Sequence, residues 1–451
     1  MKSVFLKNES PAIDFVTKRT GPKQTTSKMR FRHILSLVGL VLGGCSGRLD
    51  VGDQAPAGDA GARPVDPALA RTAIARSASV VGVGTGHACA ILEDTTVACW
   101  GFNRYGQAGV KPEDSLDPNG DPYVLVPGRV PGIDGVVQIS AGWQSTYVLR
   151  SDGTVYAWGA TSWTPHALPV DDVKNVPRQV PGVSEVVKVV DGGGPACALR
   201  RDGTVLCWGS DISGKTMDVL APAPVAGITD AVDLSVDDGM ACVIHRDGDV
   251  SCWGSVQIVT DDYTQASATP VKIPGVHKAV EVAIAASAAI ALLEDGTVMG
   301  WGASDAQTAI LEQIQGPHDP RVTSYDDGVP PAVFPGLTGI ASVRAQYRTM
   351  CALRATDGSV VCWGRNDVGE LGQGRTTIPI SEPTPVEGVV ATQLSVGSWS
   401  SCFVDDARRL TCWGNGSNGT LGTGAEEKYA SKPVKPVLLP APLAPKPAGT
   451  P

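Results

Sequence analysis

Eleven cysteines stand among 451 residues, and ten of them form five pairs: Cys89/Cys99, Cys197/Cys207, Cys242/Cys252, Cys351/Cys362 and Cys402/Cys412. Four pairs are ten residues apart and the Cys351 pair eleven. Thiols spaced this way could hold a metal or close disulfides. Structural zinc asks for Cys-x-x-Cys clusters whose ligands converge on one point, and no such cluster occurs. The segment Cys197-Ala-Leu-Arg-Arg-Asp-Gly-Thr-Val-Leu-Cys207 reads instead as a hairpin. Period-two alternation puts Cys197 and Leu199 on one face, with Val205 and Cys207 on the same face of the returning strand. Arg201-Asp202-Gly203 then forms a three-residue turn closed by a left-handed glycine. Where one cysteine is missing its partner is missing too: Tyr147 stands opposite Ala157, and Ile290 opposite Gly300. Directly opposed strand residues lie within disulfide reach, so five cross-strand disulfides are expected, each worth roughly 2.5 kcal/mol. Such bonds belong to an oxidising compartment.

Cys45 is the unpaired eleventh. It follows Met29-Arg-Phe-Arg-His and an apolar run of nine residues, Ile34 to Leu42, too short to span a bilayer. Leu42-Gly43-Gly44-Cys45 resembles the lipobox of bacterial lipoproteins, whose cysteine is lipidated. The expected organisation is an extension of mis-chosen start (1–28), a lipoprotein signal peptide (29–44), a flexible tether from Cys45 (45–79), a folded body (80–440) and a Pro-rich tail (441–451). Ser46, which follows the cysteine where an Asp would otherwise stand, resembles an outer-membrane sorting signal, so the cell envelope is the expected address and the lipid anchor the only membrane contact.

The other chemical motifs are arithmetic matches without the context their chemistry needs. Gly209 to Thr216 fits a phosphate loop, but prolines at 222 and 224 stand where a helix must begin. Gly414-x-Gly416-x-x-Gly419 fits a dinucleotide fingerprint and likewise has no helix to open. Asp117-x-Asn119-x-Asp121 resembles the start of a calcium loop, but Pro122 replaces the turn glycine. Of six histidines, His87 is a repeat-frame residue and reads as structural. No catalytic residue, metal site or cofactor is expected. A formal charge of -9 with 46 acidic against 37 basic residues argues against a nucleic-acid partner.

The elements that must position these residues follow from a repeat. Trp-Gly recurs at Trp100, Trp158, Trp208, Trp253, Trp301, Trp363 and Trp413, at spacings of 45 to 62 residues. With 53 Gly, 34 Pro and 18% charged residues, the composition is that of a turn-rich β protein and excludes a helical bundle. Asp-Gly recurs at 152, 202, 247, 295 and 357. Copies one and seven offer Thr95 and Arg408 where that glycine stands, so their turns are expected to be of another type. An apolar strand precedes each hairpin (136–142, 186–192, 392–398), and a Val-Pro-Gly-like segment precedes that, as at Val130-Pro131-Gly132 and Val180-Pro181-Gly182. Four short strands repeated seven times describe an all-β, seven-bladed β-propeller.

The repeat resembles that of the regulator of chromosome condensation family, through Gly84, His87, Trp100-Gly101, Asn103 and Gly106-Gln107-Ala108-Gly109 in copy one. Copy six carries it through Asp357-Gly358, Trp363-Gly364, Asn366 and Gly369-Glu370-Leu371-Gly372, and copy seven through Trp413-Gly414-Asn415 and Thr420-Leu421-Gly422. Copies two to five lack the Asn and the Gly-x-Leu-Gly tail, so their connections must be rebuilt. The resemblance implies a ring closed by N- and C-terminal strands in one blade, with 432–437 completing the blade that begins at Val80. It also implies a rigid binding disc. Members include an exchange factor for a small GTPase and a secreted inhibitor of β-lactamases.

The short loop before each hairpin varies between copies: Trp143-Gln144, Asp237-Asp238, Tyr347-Arg348, Ser398-Trp399. Such loops gather on one face of a propeller, and Trp, Tyr and Arg dominate protein interfaces. Insertions at 102–129 and 303–332 add loop surface, the second with a short helix at 309–314. The expected function is a monomeric, lipid-anchored scaffold that binds a protein and is not an enzyme. The alternatives are an inhibitor of a periplasmic or secreted enzyme, an exchange-factor-like regulator, and a glycan-acting propeller enzyme with carboxylates at its centre.

Overall fold

The computed structural model of the protein describes residues 80–116, 120–161, 175–209, 219–237, 239–259, 264–286, 288–302, 329–376, 379–425, 427–434, 437 and 439–440. The leader with Cys45, the tether and the tail beyond Pro440 therefore lie outside the described residues, as do Asp117, Asn119, the phosphate-loop-like stretch after Gly209, Asp238 and the expected helix at 309–314.

Among the described residues the alternation becomes 28 strands in seven four-stranded antiparallel sheets, each built from strands consecutive in the chain. Blade one is β1 (Val81–Val83), β2 (His87–Ile91), β3 (Val97–Phe102) and β4 (Tyr123–Arg129). Blades two to six follow at 136–179, 186–224, 231–272, 279–333 and 340–385. Blade seven is β25 (Gln393–Val396), β26 (Ser400–Val404), β27 (Leu410–Gly416) and β28 (Glu427–Ala430). The first strands of all seven blades line a central cavity of about 140 Å³.

The hairpin register is the expected one, with Cys89↔Cys99, Cys197↔Cys207, Cys242↔Cys252, Cys351↔Cys362 and Cys402↔Cys412 directly opposed. All five pairs are bonded, with Cα atoms 4.0–4.1 Å apart. Tyr147 faces Ala157 and Ile290 faces Gly300 in the same register. Each pair faces the next blade and packs against that blade's tryptophan. Cys89 and Cys99 meet Trp158, Cys242 and Cys252 meet Trp301, and Cys402 and Cys412 meet Trp100. Seven such apolar clusters hold the seven blades face to face.

The glycine after each tryptophan has a positive φ, from 87° at Gly159 to 151° at Gly254. Most L side chains avoid that region. A Cβ would also stand 2.4 Å from the Gln144 carbonyl at Gly159 and 2.4 Å from the Trp399 carbonyl at Gly414. The Trp-Gly mark is thus a buried wedge followed by a backbone kink.

Four expectations need correction. In the turn of copy three, Gly203 (φ 90°) donates to the Arg200 carbonyl and Asp202 accepts from the Thr204 amide and hydroxyl. Thr95 (φ 63°) and Arg408 (φ 59°) make the same turn, not another type. Thr95 donates to the Leu92 carbonyl at 2.9 Å and Arg408 to the Asp405 carbonyl at 3.1 Å. The left-handed conformation costs a side chain about 1–2 kcal/mol, which Asp94 bonded to Thr96 and Asp405 bonded to Arg409 offset.

Second, the Val-Pro-Gly segment leads no blade. Val130 and Val180 donate to the carbonyls of Val97 and Val155 in the blade just completed, so the repeat frame and the blade frame are offset. Third, residues 123–129 and 329–333 are outer strands of blades one and five, so the insertions are shorter than expected.

Fourth, among the described residues no sheet combines strands from the two ends of the chain. Val434 and Val437 donate to the Cys412 and Leu410 carbonyls, so the C-terminal segment returns to β27 of its own blade. The outer edge of β3 is already taken by β4. The ring closes by the packing of blade one on blade seven.

Candidate functional site

The loops between first and second strands touch one another around one mouth of the central cavity. Thr85 and Ser398 share a hydrogen bond of 2.9 Å between blades one and seven, and the Thr85 amide donates to the Gly142 carbonyl of blade two. Trp143 lies against Gly193 of blade three. The Asp237 carboxylate of blade four accepts from the amides of Ala286 (2.8 Å) and Tyr347 (3.0 Å) in blades five and six. The Tyr347 and Trp399 rings of blades six and seven stand 5.8 Å apart. The expected contact loops are therefore one continuous ring.

Its members do different work. Trp143 is 58% exposed, and Gln144 beside it spends its carbonyl on the Ala160 amide. Asp237 is corrected from a surface contact to a support: it is 7% exposed and faces backbone amides. Ala286 and Tyr347 both have left-handed φ, near 52° and 54°, which aims two neighbouring amides at one carboxylate. Ser398 is buried and tied to Thr85.

Tyr347, Arg348 and Trp399 are joined by a residue that the sequence reading missed. The Arg365 guanidinium lies 4.1 Å from the centre of the Trp399 ring, and Arg348 lies 5.3 Å from that of Tyr347. Arg365 is held by Asp367 at 2.6 Å. Two guanidinium–ring contacts thus bracket an aromatic pair across the seam of blades six and seven. The signal was available, because Arg365 directly follows Trp363-Gly364; in the fold its amide donates to the Arg348 carbonyl. The corresponding position in blade one is Phe102, 6.3 Å from Tyr105 and 6.0 Å from Tyr123.

Inside the cavity the ionisable groups serve the ring. Lys188 pairs with Asp233 at 2.6 Å, and Asp233 also accepts from the Val282 amide. Glu281 pairs with Arg344 and accepts from the Val343 amide. Gln346, its amide nitrogen turned inward, reaches the carbonyls of Val396 and Val83 and so links blades six, seven and one. Asp191 accepts from the Ser145 hydroxyl at 2.6 Å and the Gly193 amide at 3.0 Å, and burial pushes its pKa up from 3.8 to about 6. His87 is buried beside Thr146 at 2.8 Å, and desolvation lowers it from 6.5 to about 4. The glycines at 414–419 belong to β27 and the turn after it, with no helix. No cluster of metal-ligating side chains occurs among the described residues.

Comparison with known proteins agrees with this architecture. Models of the regulator of chromosome condensation (RCC1) repeat match residues 79–107, 136–162 and 357–404. Protein pim1 of Schizosaccharomyces pombe is 36% identical over 89 residues, 18% of this chain and 16% of that protein. The guanine nucleotide exchange factor SRM1 of Saccharomyces cerevisiae is 30% identical over 100 residues, 22% of this chain and 20% of SRM1. The match thus spans no more than about a fifth of these relatives. The crystal structure of Prp20p from Saccharomyces cerevisiae, described with its binding to Gsp1p and histones, superposes with a TM-score of 0.64 at 19% identity, covering 82% of this chain and 89% of that one. Yeast RCC1 (Prp20) bound to Kap60 also superposes at 0.64, at 18% identity, covering 86% and 91%. At such identity the superpositions speak for the fold.

Proposed function

Because the chain is a seven-bladed propeller of the regulator of chromosome condensation family, we propose that it is an exported, lipid-anchored binding disc whose aromatic ring of loops holds a protein partner. The observation that carries this reading is the cluster of Tyr347, Arg348, Trp399 and Arg365 on the same loop ring as the exposed Trp143. Flat aromatic and guanidinium groups fixed on a rigid frame give contact area at little entropic cost, and they are the side chains that most often dominate protein interfaces.

The export half rests on Arg30 to Cys45, with Cys45 the lipidated residue, and on five disulfides suited to an oxidising compartment. The protein acts there as a monomeric scaffold without catalysis or cofactor. An enzyme-inhibiting role in the same compartment is a special case of this reading. An exchange role like that in the name of SRM1 would need a GTPase partner in the cytosol, which the leader speaks against.

The test is capture from the native cell envelope by proximity labelling, with three forms of the protein: unaltered, Trp143→Ser with Trp399→Ser, and Arg201→Ser on the opposite, hairpin-turn face. Labelling lost in the loop-face form and kept in the Arg201 form supports the reading. Equal labelling by all three forms defeats it.

A further inference from the structure

The hairpin of blade four has the same backbone as the others, but two of its positions carry a different chemistry. Its strands are β14 (Met240–His245) and β15 (Val250–Val259), and Gly248 closes the turn between them by donating to the His245 carbonyl at 2.9 Å. Val243 opposes Ser251 in the register, so alternation puts His245 and Ser251 on one face. That face packs Val243 and Trp253 against blade three. In blade two the same two positions hold Arg150 and Tyr156, a guanidinium 5.6 Å from a ring centre, and in blade three they hold Arg200 and Leu206. Only blade four sets an imidazole beside a hydroxyl at these positions.

His245 Nε2 lies 2.8 Å from Ser251 Oγ, and His245 Nδ1 lies 2.7 Å from Oδ1 of Asp230, the residue just before blade four begins at Ala231. A carboxylate can only accept, so Nδ1 carries the proton that it donates to Asp230, and Nε2 accepts from the Ser251 hydroxyl. A hydroxyl bonded to a base that a third group orients is the arrangement that activates a serine. Lys272, the last residue of β16 (Thr264–Lys272), stands opposite Ser251, and its ammonium pairs with Asp249, so a cation is fixed next to the hydroxyl. The Asp230 side chain is 44% exposed, that of His245 17%, and Ser251 7%. The relay thus runs inward from the hairpin-turn face, and its inner end is within reach of a small molecule and not of a folded chain.

We propose that Ser251 is a covalent modification site, a nucleophile that takes the acyl group of a small ester. Ser251 Oγ attacks the ester carbonyl carbon, and its proton passes to His245 Nε2. The bond from the acyl carbon to the leaving oxygen then breaks, and His245 returns the proton to that oxygen. An alcohol departs and an O-acyl serine remains, with no oxidant or reductant needed. Asp230 is a positioning residue, which fixes the tautomer of the ring and steadies it while it carries the second proton. The acyl group lies over His245 in a site where the hydroxyl is already almost buried, and so keeps water from that nitrogen. The protein is therefore modified once per chain and does not turn the ester over. The site stands on the opposite side of the disc from the ring of loops, and this inference is independent of the proposed function.

The test is reaction of the full chain, disulfides intact, with para-nitrophenyl acetate, read as released para-nitrophenol and by peptide mapping of the acetyl group. One equivalent of the phenol per chain is expected, with the acetyl on Ser251. The rate at Ser251 should fall about a hundredfold or more in His245→Gln and about tenfold or more in Asp230→Asn, and Asp230→Glu should recover part of it. The melting temperature of each variant is read alongside, so that a change of rate at an unchanged melt is assigned to the relay. An unaltered protein that carries acetyl only on lysine or histidine, or none at all, overturns the proposal without any variant. Acetylation of Ser251 at the same rate in His245→Gln or in Asp230→Asn overturns it as well.

Discussion

The Trp100 indole donates to the Thr420 carbonyl at 2.8 Å although 320 residues separate them. This bond crosses the seam that closes the ring, and it repeats a local device. Trp158 donates to the Gln107 carbonyl and Trp413 to the Glu370 carbonyl. In each case a Gly-x-Leu-Gly-like tail presents a carbonyl to the tryptophan of the next blade. Blade two lacks that tail, and there Trp208 donates to the Tyr147 hydroxyl at 3.2 Å. Tyr147 occupies the position that a cysteine holds in five other copies, so losing the disulfide and losing the tail are met by one side chain.

Tyr147→Phe should therefore be costly although it removes a single oxygen. It strands a buried indole N–H, at about 1–3 kcal/mol. Denaturant unfolding with the disulfides intact measures it, and a loss below about 0.5 kcal/mol would mean that the indole finds another acceptor.

The disulfides should not be equally reducible. Nine of the ten bonded cysteines are fully buried, while Cys207 is partly exposed. Timed alkylation under a mild dithiol, followed by peptide mapping, should label Cys197 and Cys207 first. Simultaneous labelling of all ten would show that reduction waits on global opening.

The pH dependence contains two opposed contributions. Asp191 has a folded pKa raised from 3.8 to about 6, so the folded state binds the extra proton and stability falls as pH rises through that window. His87 is lowered from 6.5 to about 4, so the unfolded state binds the extra proton and stability rises as pH rises from about 4 to 6.5. Each displacement is worth roughly 3 kcal/mol, and between pH 4 and 6 the two nearly cancel. Relative to the unaltered protein, Asp191→Asn should gain stability across that window and His87→Asn should lose it. Chemical denaturation at pH 4, 5 and 6 gives both slopes, and parallel curves for all three proteins would refute the assignment.

Asp237→Ala should disturb the loop face from beneath. Two amides lose their acceptor, at about 1–3 kcal/mol, and Tyr347 loses the contact that holds its left-handed backbone. Faster exchange at the Tyr347 amide with the melting temperature little changed is the expected signature. Asp237→Glu should restore less than half of the protection, because the longer side chain does not fit the same space.

Val437→Asp should weaken the closure. Val437 is buried between blades seven and one and pairs with Leu410. A charge there, like truncation after Glu427, should lower the melting temperature of the whole ring by several degrees. An unchanged melt would show that the interblade contacts of β1 suffice.

Alternation, turn residues and cysteine spacing are local, so the chain alone determined the hairpins, the opposed sulfurs and the sevenfold count. Arg201-Asp202-Gly203 carries its turn within three residues, and Cys197 meets Cys207 across one such turn. The offset between repeat and blade, the return of 432–437 to its own sheet, and the left-handed Thr95 depend on partners that no window of ten residues contains. The same holds for Asp237, whose place under Tyr347 is decided by a contact 110 residues away. A carboxylate in a variable loop reads as surface until the neighbouring blades are brought around it. Only then does the low exposure that makes it a support, and not a contact, exist.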